Sequence, residues 1–378
     1  MQGLFFIPKN KGGIKIMDYN ITYRDKDGGI QAIISYKKNN AWKQKSKQGF
    51  KKKGDAKTWA QSTVDNLKES FEADIDIEME GTTLEELYNM AIKHFELYLE
   101  AGTILTYDEG MVHFAKLNKK VIADITSLEI QECIDNMVKK GLKSRTINGY
   151  VSKLKIVLDY AVEPHKIIRV NPACSIKVPK DKEKKNRTAN IKALNADELQ
   201  DLISKIERDD LKMISIIAST AGLRIGEIVG LTWDCHNYQK SELKVYRQWK
   251  VTNKNKDYGF GKVKTPNSVR TIPLSDATNE AIKKYKDEHP ISISSRIFPF
   301  GTTANAKTTM RYNFNKVGYK ISIHDLRHTY ASRLVGNGVD FKTVAELIGD
   351  TVQVVIDTYS HFTGDMMENA KKAVNYIF

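Results

Sequence analysis

The stretch "IHDLRHTYASRL", residues 323–334, sets two histidines around an arginine, and "IDTYSHF", residues 356–362, places Tyr359 thirty-two residues after Arg327. His324 and His328 stand four apart, so on a helix they share one face. Three readings fit: a pair of zinc ligands, ordinary helix residues, or part of a site for a phosphate. A zinc pair of the HExxH kind needs a glutamate after the first histidine, whereas Asp325 stands there, and no third ligand is suggested by spacing. The flanking sequence has to separate the other two readings.

Upstream, "STAGLRIGEIVGLTW" (219–233) reads as helix, loop and helix, with Arg224 following Gly222 amid apolar residues. An arginine in such surroundings needs an anion. Either it pairs internally with Glu227, or it presents its guanidinium fork to a phosphate while Glu227 holds it. Next, "KVKTPNSVRTIPL" (262–274) reads as a hairpin with Pro266 and Asn267 in its turn and Lys264 just before it. Lysines on hairpins are commonly solvated.

The chain has 378 residues, 41% of them hydrophobic, enough for two or three cored domains. Lys and Arg outnumber Asp and Glu by 60 to 46, a net charge of +14, which favours a polyanionic partner. Fourteen Lys or Arg and four acids fall within residues 1–57, so most of the excess sits there, as in a dedicated anion-binding module. Cys133, Cys174 and Cys235 are odd in number, widely spaced and without a CxxC, which argues against a disulfide framework or a thiolate zinc site and for a reducing cytoplasm. No apolar run approaches a membrane span, and "GLFFIP" (3–8) is too short for a signal sequence.

Along the chain, "YNITYRDKDGGIQAIISY" (19–36) gives two alternating runs around a turn signal, a β-hairpin. A third strand, "AWKQKSKQGF" (41–50), and a helix from Lys53 to about Phe71 complete a β-β-β-α unit. Period two puts Lys43, Lys45 and Lys47 on one face, which is either solvated or enters a DNA groove as strands do in β-ribbon readers. After the acidic "EADIDIEMEG" (72–81), "TTLEEL" (82–87) opens a helical bundle with a capping box at Thr83 and Glu86. Within the bundle, "KKGLKSRTINGYVSKLK" (139–155) gathers Lys143, Arg145 and Lys153 around a helix N-terminus, a place suited to phosphate oxygens or a plain solvated face. Prolines and the charged "PKDKEKKNRTAN" (179–190) then interrupt periodicity as a linker, short enough for the flanking domains to clamp around a partner. Asn195 and Glu198 cap the start of a mostly helical last domain with strands near 243–250, 260–265 and 268–273. "KGGIKIM" (11–17) back-translates to a bacterial ribosome-binding site before an ATG for Met17, so residues 1–17 read as a non-native or disordered extension with the native start at Met17.

Taken in order, "TAGLRIGE", "KTPNSVRTIPL", "HDLRHTYAS" and "LIGD" followed by "TYSH" resemble the tyrosine recombinase family of the phage-integrase type, over essentially the whole chain. The resemblance implies a multidomain, mainly α protein. It would have an arm-site-binding β-β-β-α domain (18–75), a helical core-site-binding bundle (82–178), a linker (179–190) and an α+β catalytic domain (191–378). It further implies that Arg224, Lys264, His324 and Arg327 surround a scissile phosphate with Tyr359 as nucleophile. Two guanidiniums suit the charge that accumulates on non-bridging oxygens, without a metal or any other cofactor. His324 is then the candidate base for a phenol of pKa near 10, and Lys264 the general acid for the leaving 5′-oxygen. The implied partners are double-stranded DNA attachment sites, a homotetramer on that DNA, and accessory bending and directionality proteins. The implied setting is the cytoplasm and nucleoid of a bacterial host, with no membrane.

One departure stands at Asp350, where the family has His or sometimes Trp, nine residues before Tyr359. A carboxylate about 5 Å from a phosphate repels it by roughly 3 kcal/mol at an effective dielectric near 20. Asp350 therefore points away, is neutralised by a cation, or marks a weaker enzyme; in the extreme the chain is a catalytically impaired DNA-binding protein of the same fold.

Overall fold

The computed structural model describes residues 17–26, 28–38, 41–72, 79, 81–181, 192–263, 268–289, 295–360 and 374. The chain divides into two compact units near residue 181. In the first, β1 (Tyr19–Lys26), β2 (Gly29–Lys38) and β3 (Ala41–Phe50) form an antiparallel sheet in sequence order, followed by α1 (Lys53–Glu72). Alternation along β2 buries Ala32, Ile34 and Tyr36 against the helical stripe Ala56, Ala60, Val64 and Leu67. Two alanines in that stripe let the helix lie close to the sheet, while Val64 and Leu67 each add about 2 kcal/mol of apolar burial. Met17 is 4% exposed within this core, so it is part of the fold and not of an extension, while residues 1–16 lie outside the described residues.

A second core belongs to α2 (Leu84–Phe95), α3 (Ala101–Met111), α4 (Ser127–Lys139) and α5 (Ser144–Val162). Reciprocal capping boxes start α2 (Thr83 with Glu86) and α4 (Thr126 with Glu129), which satisfies backbone amides that a helix start otherwise leaves unpaired. Ile147, Val151, Leu154, Leu158 and Ala161 recur at helical spacing as the buried stripe of α5.

The second unit is built on α6 (Ala196–Lys205), α7 (Asp209–Thr220) and the short α8 (Ile225–Val229). Strands β4 (His236–Asn237), β5 (Glu242–Val245), β6 (Arg247–Val251), β7 (Tyr258–Lys262) and β8 (Arg270–Pro273) follow. Five helices close the described chain: α9 (Asp276–Glu288), α10 (Thr303–Lys316), α11 (Ile323–Gly336), α12 (Phe341–Ile348) and α13 (Val352–Tyr359). The strand pairing corrects one expectation. The hairpin of this region is β6–β7, and β8 pairs with β5, so 262–274 joins two sheets instead of folding on itself. The alternating pattern locates strands but does not choose their partners.

Candidate active site

Gly222 ends the α7 segment with φ +64, and a Cβ there would stand 2.4 Å from Cδ1 of Tyr330, so only glycine permits this turn. The turn delivers Arg224 to the start of α8. Glu227, 2% exposed, accepts from the Arg224 backbone amide (2.9 Å) and from its Nη1 (3.1 Å). Its firmer partner is Arg270, whose Nη2 and Nη1 donate at 2.9 and 3.2 Å. Burial opposes the Glu227 charge, but Arg270 and then Arg224 outweigh it and hold the carboxyl below its ordinary range. The ion-pair reading of Arg224 is the one seen, and its side chain is still 25% exposed.

Arg270 was not distinguished in the sequence. It lies buried, fixed also by the carbonyls of Leu347 (2.8 Å) and Ser268 (3.1 Å), and so ties β8 to the end of α12. Gly349, φ +66, terminates that helix where a Cβ would come 2.9 Å from Arg270 Nη1, which accounts for the glycine of "LIGD". The signal for Arg270 was its place at an inward strand position: a buried cation implies a buried anion elsewhere, here Glu227.

Arg327 projects from α11 with 2% exposure; its Nη1 donates to the Gly222 carbonyl at 2.6 Å and its Nη2 to Asp350 Oδ2 at 3.2 Å. Burial, with Arg224 beside it, lowers its pKa to about 10, so it stays charged at neutral pH. The same Asp350 oxygen accepts from Arg224 Nη2 at 2.8 Å, and Asp350 Oδ1 accepts from the Thr351 amide at 3.3 Å. Asp350 therefore does not point away. Its carboxylate sits between the two guanidiniums that the motifs single out, neutralised by both.

Tyr359, the last residue of α13, is 2% exposed, and burial pushes its phenol up to about 12 despite the pull of Arg327. Its hydroxyl meets Nδ1 of His328 at 2.6 Å. His324, expected beside the nucleophile, lies one turn earlier with its ring edge-on to His328 at 4.5 Å between centroids. Burial and the neighbouring His328 and Arg327 lower His324 to about 4, so it is neutral at pH 7. Arg224, Arg327, Asp350, His324 and Tyr359 are thus carried within one unit, while Lys264, with Pro266 and Asn267, lies outside the described residues. Among the described residues no group of three or more His, Cys, Asp and Glu is arranged to hold a metal.

Lys43, Lys45 and Lys47 do share a face, but the register sets them opposite Tyr36, Ile34 and Ala32, the buried side that carries α1. The opposite face, away from α1, holds Arg24, Gln31, Ser35, Trp42, Gln44 and Ser46, with Trp42 61% exposed. Which of the two faces a helix covers is not revealed by the period alone. In the bundle, Lys143 and Arg145 are exposed at the start of α5, where the Ser144 amide and hydroxyl already donate to Asp181 Oδ1 at 2.9 and 2.7 Å. Lys153 folds back instead, its Nζ 3.5 Å from the Gly149 carbonyl.

Comparison with known proteins gives two domain matches, the phage integrase family over residues 192–364 and the arm DNA-binding domain over residues 19–66. A XerC-like tyrosine recombinase of Caldanaerobacter subterraneus subsp. tengcongensis is 25% identical, covering 86% of this chain and 91% of the relative. The ICEBs1 integrase of Bacillus subtilis is 25% identical over 64% of this chain and 68% of its own. Among solved structures, the Tn1549 transposon integrase in complex with transposon right-end DNA superposes with a TM-score of 0.63 at 21% identity, over 78% of this chain and 100% of that one. A lambda integrase dimer bound to a core site gives 0.55 at 18% identity, over 92% and 95%.

Proposed function

We propose that the chain is a tyrosine recombinase of the phage-integrase type, which integrates a phage or an integrative conjugative element by cutting and rejoining DNA through a 3′-phosphotyrosyl intermediate. The observation that carries this reading is the convergence of Arg224 and Arg327 on one oxygen of Asp350, in the unit that holds Tyr359. One oxygen between two guanidiniums is what a non-bridging phosphate oxygen requires, and charge-assisted donors fixed in advance stabilise the pentavalent state without reorganising. Tyr359 supplies the attacking oxygen, and Lys264 protonates the departing 5′-oxygen. The bond energy is kept in the phosphotyrosine, so rejoining needs no ATP. Asp350 orients both arginines from the edge of the site.

Residues 18–75 act as the arm-site module, 82–178 as the core-site module, 179–190 as linker and 191–378 as the catalytic domain. The sheet face of Arg24, Trp42 and Gln44 is the one that enters a groove, since Arg and Gln side chains read base edges and the other face is occupied by α1. The assembly is a homotetramer on two duplexes in the cytoplasm of a bacterial host, aided by DNA-bending and directionality proteins.

A duplex nicked near the cleavage site tests the reading, because the short strand diffuses away and traps the intermediate. A covalent adduct is expected. Tight binding with no adduct would favour a DNA-binding protein disabled at Asp350.

A further inference from the structure

His328 is absent from the set of residues that the resemblance assigns, yet it is the side chain that touches the attacking atom. Its Nδ1 lies 2.6 Å from the Tyr359 hydroxyl, the two rings are 5.7 Å apart between centroids, and α11, which carries His328, packs against α13, which carries Tyr359. His324 stands edge-on to the His328 ring, 4.5 Å between centroids.

We infer that His328 is a catalytic residue: its Nδ1 takes the Tyr359 proton as the phenol oxygen attacks phosphorus, and returns it when the DNA strand is rejoined. The inference rests on Tyr359 being the nucleophile. In the forward step the Oη–P bond forms, the bond from phosphorus to the 5′-oxygen breaks, the phenolic proton passes to Nδ1, and Lys264 gives a proton to the departing 5′-oxygen. Charge and protons balance, with His328 ending as imidazolium and Lys264 as amine. Rejoining runs backwards: the 5′-hydroxyl of the incoming strand gives its proton to Lys264, and the imidazolium reprotonates the released phenolate.

The surroundings favour this role. Burial keeps His328 below its ordinary pKa, against the opposing charge of Asp325, so the ring is neutral at pH 7 and can accept. With Nε2 protonated, Nδ1 is the acceptor and the phenol the donor. A phenol at about 12 is far less acidic than an imidazolium, so the proton moves only as the oxygen bonds to phosphorus and loses its basicity. A base already in contact with the hydroxyl meets that timing.

Single-turnover cleavage of the nicked duplex by His328→Asn, His328→Ala and Tyr359→Phe tests the inference. Asparagine can place its amide oxygen near the Nδ1 position and accept the hydrogen bond, but it cannot take a proton. Both His328 variants should bind DNA normally and cleave on the order of a hundredfold slower, the usual scale of general base catalysis. Free imidazole should restore part of the His328→Ala rate and none of the Tyr359→Phe rate. A substrate with a 5′-sulfur leaving group, which needs no acid, should leave the His328 defect in place. The inference is overturned if His328→Asn cleaves at the natural rate, which would reduce the contact to placement, or if the 5′-sulfur substrate abolishes the His328→Ala defect. Adduct formation by Tyr359→Phe would instead remove the underlying reading of the nucleophile.

Discussion

The arginines around Glu227 and the lysines of the N-terminal sheet carry the same sign of charge in opposite circumstances. Arg270 and Arg327 are nearly inaccessible to water, and their guanidiniums meet named carboxylates and carbonyls within 3.2 Å. Lys47 is exposed on a strand whose register follows from burying Ile34 and Tyr36, with its Nζ 5.7 Å from the centre of the Phe50 ring and no carboxylate partner among the described residues. A buried charge is fixed by its partners, so its position is forced and its loss is large. An exposed one contributes to a field, so its count matters more than its identity. The difference explains why chemistry in this chain is read from single residues and DNA affinity from regional charge.

The contrast would be broken most clearly at Glu227. Glu227→Gln removes the anion from Arg270 and leaves a buried cation unpaired, which should lower stability by about 3–5 kcal/mol in denaturant titration; an unchanged midpoint would mean that the pair carries no weight. Next come Arg224→Ala and Arg327→Ala, each expected to slow cleavage by about a hundredfold or more while DNA binding persists. Arg327→Lys should not recover the rate, because a single ammonium cannot reach both the Gly222 carbonyl and Asp350.

A smaller effect is expected at Asp350. Asp350→His withdraws the oxygen that both arginines share, and cleavage should fall by about tenfold, the scale of losing an orienting contact. A faster histidine variant would show that the carboxylate opposes the phosphate. Acid should act in the same region. His324 titrates near 6.5 when unfolded and near 4 when folded, so the unfolded chain binds the extra proton between those values. That contribution to stability is complete above about pH 6.5 and is lost as pH falls toward 4, and His324→Gln should flatten this part of the stability profile.

The sheet should act on DNA binding and leave the chemical step alone. Trp42→Ala or Gln44→Ala should weaken binding of an isolated 17–72 fragment to arm-site DNA by about 1–3 kcal/mol, while Lys45→Ala should cost less. Equal losses would indicate that charge alone binds and that the face is immaterial. Deleting residues 1 to 75 should abolish integration and spare cleavage of an isolated core site.

How far the sequence went depended on the same contrast. Capping boxes at Thr83, Thr126 and Asn195 and the alternation of β1 and β2 are local signals, and the elements they announce are present. The Thr126 box and the partner of Glu227 were not anticipated, the second because Arg270 lies forty-three residues away and becomes a neighbour only when β8 pairs with β5. His328 was weighed only together with His324, as a metal ligand, a helix residue or part of a phosphate site, since its contact with Tyr359 depends on how α13 packs on α11. Lys43, Lys45 and Lys47 share a face as expected, and that this face also carries α1 was not legible, because period two separates two faces without saying which one a helix covers.

Locating the covalent link by mass spectrometry of the trapped adduct tests the central claim most directly. The account predicts one nucleotide remnant on the peptide containing Tyr359, and no adduct from Tyr359→Phe. A remnant on Tyr330 or any other residue, or an undiminished adduct from the phenylalanine variant, would contradict it.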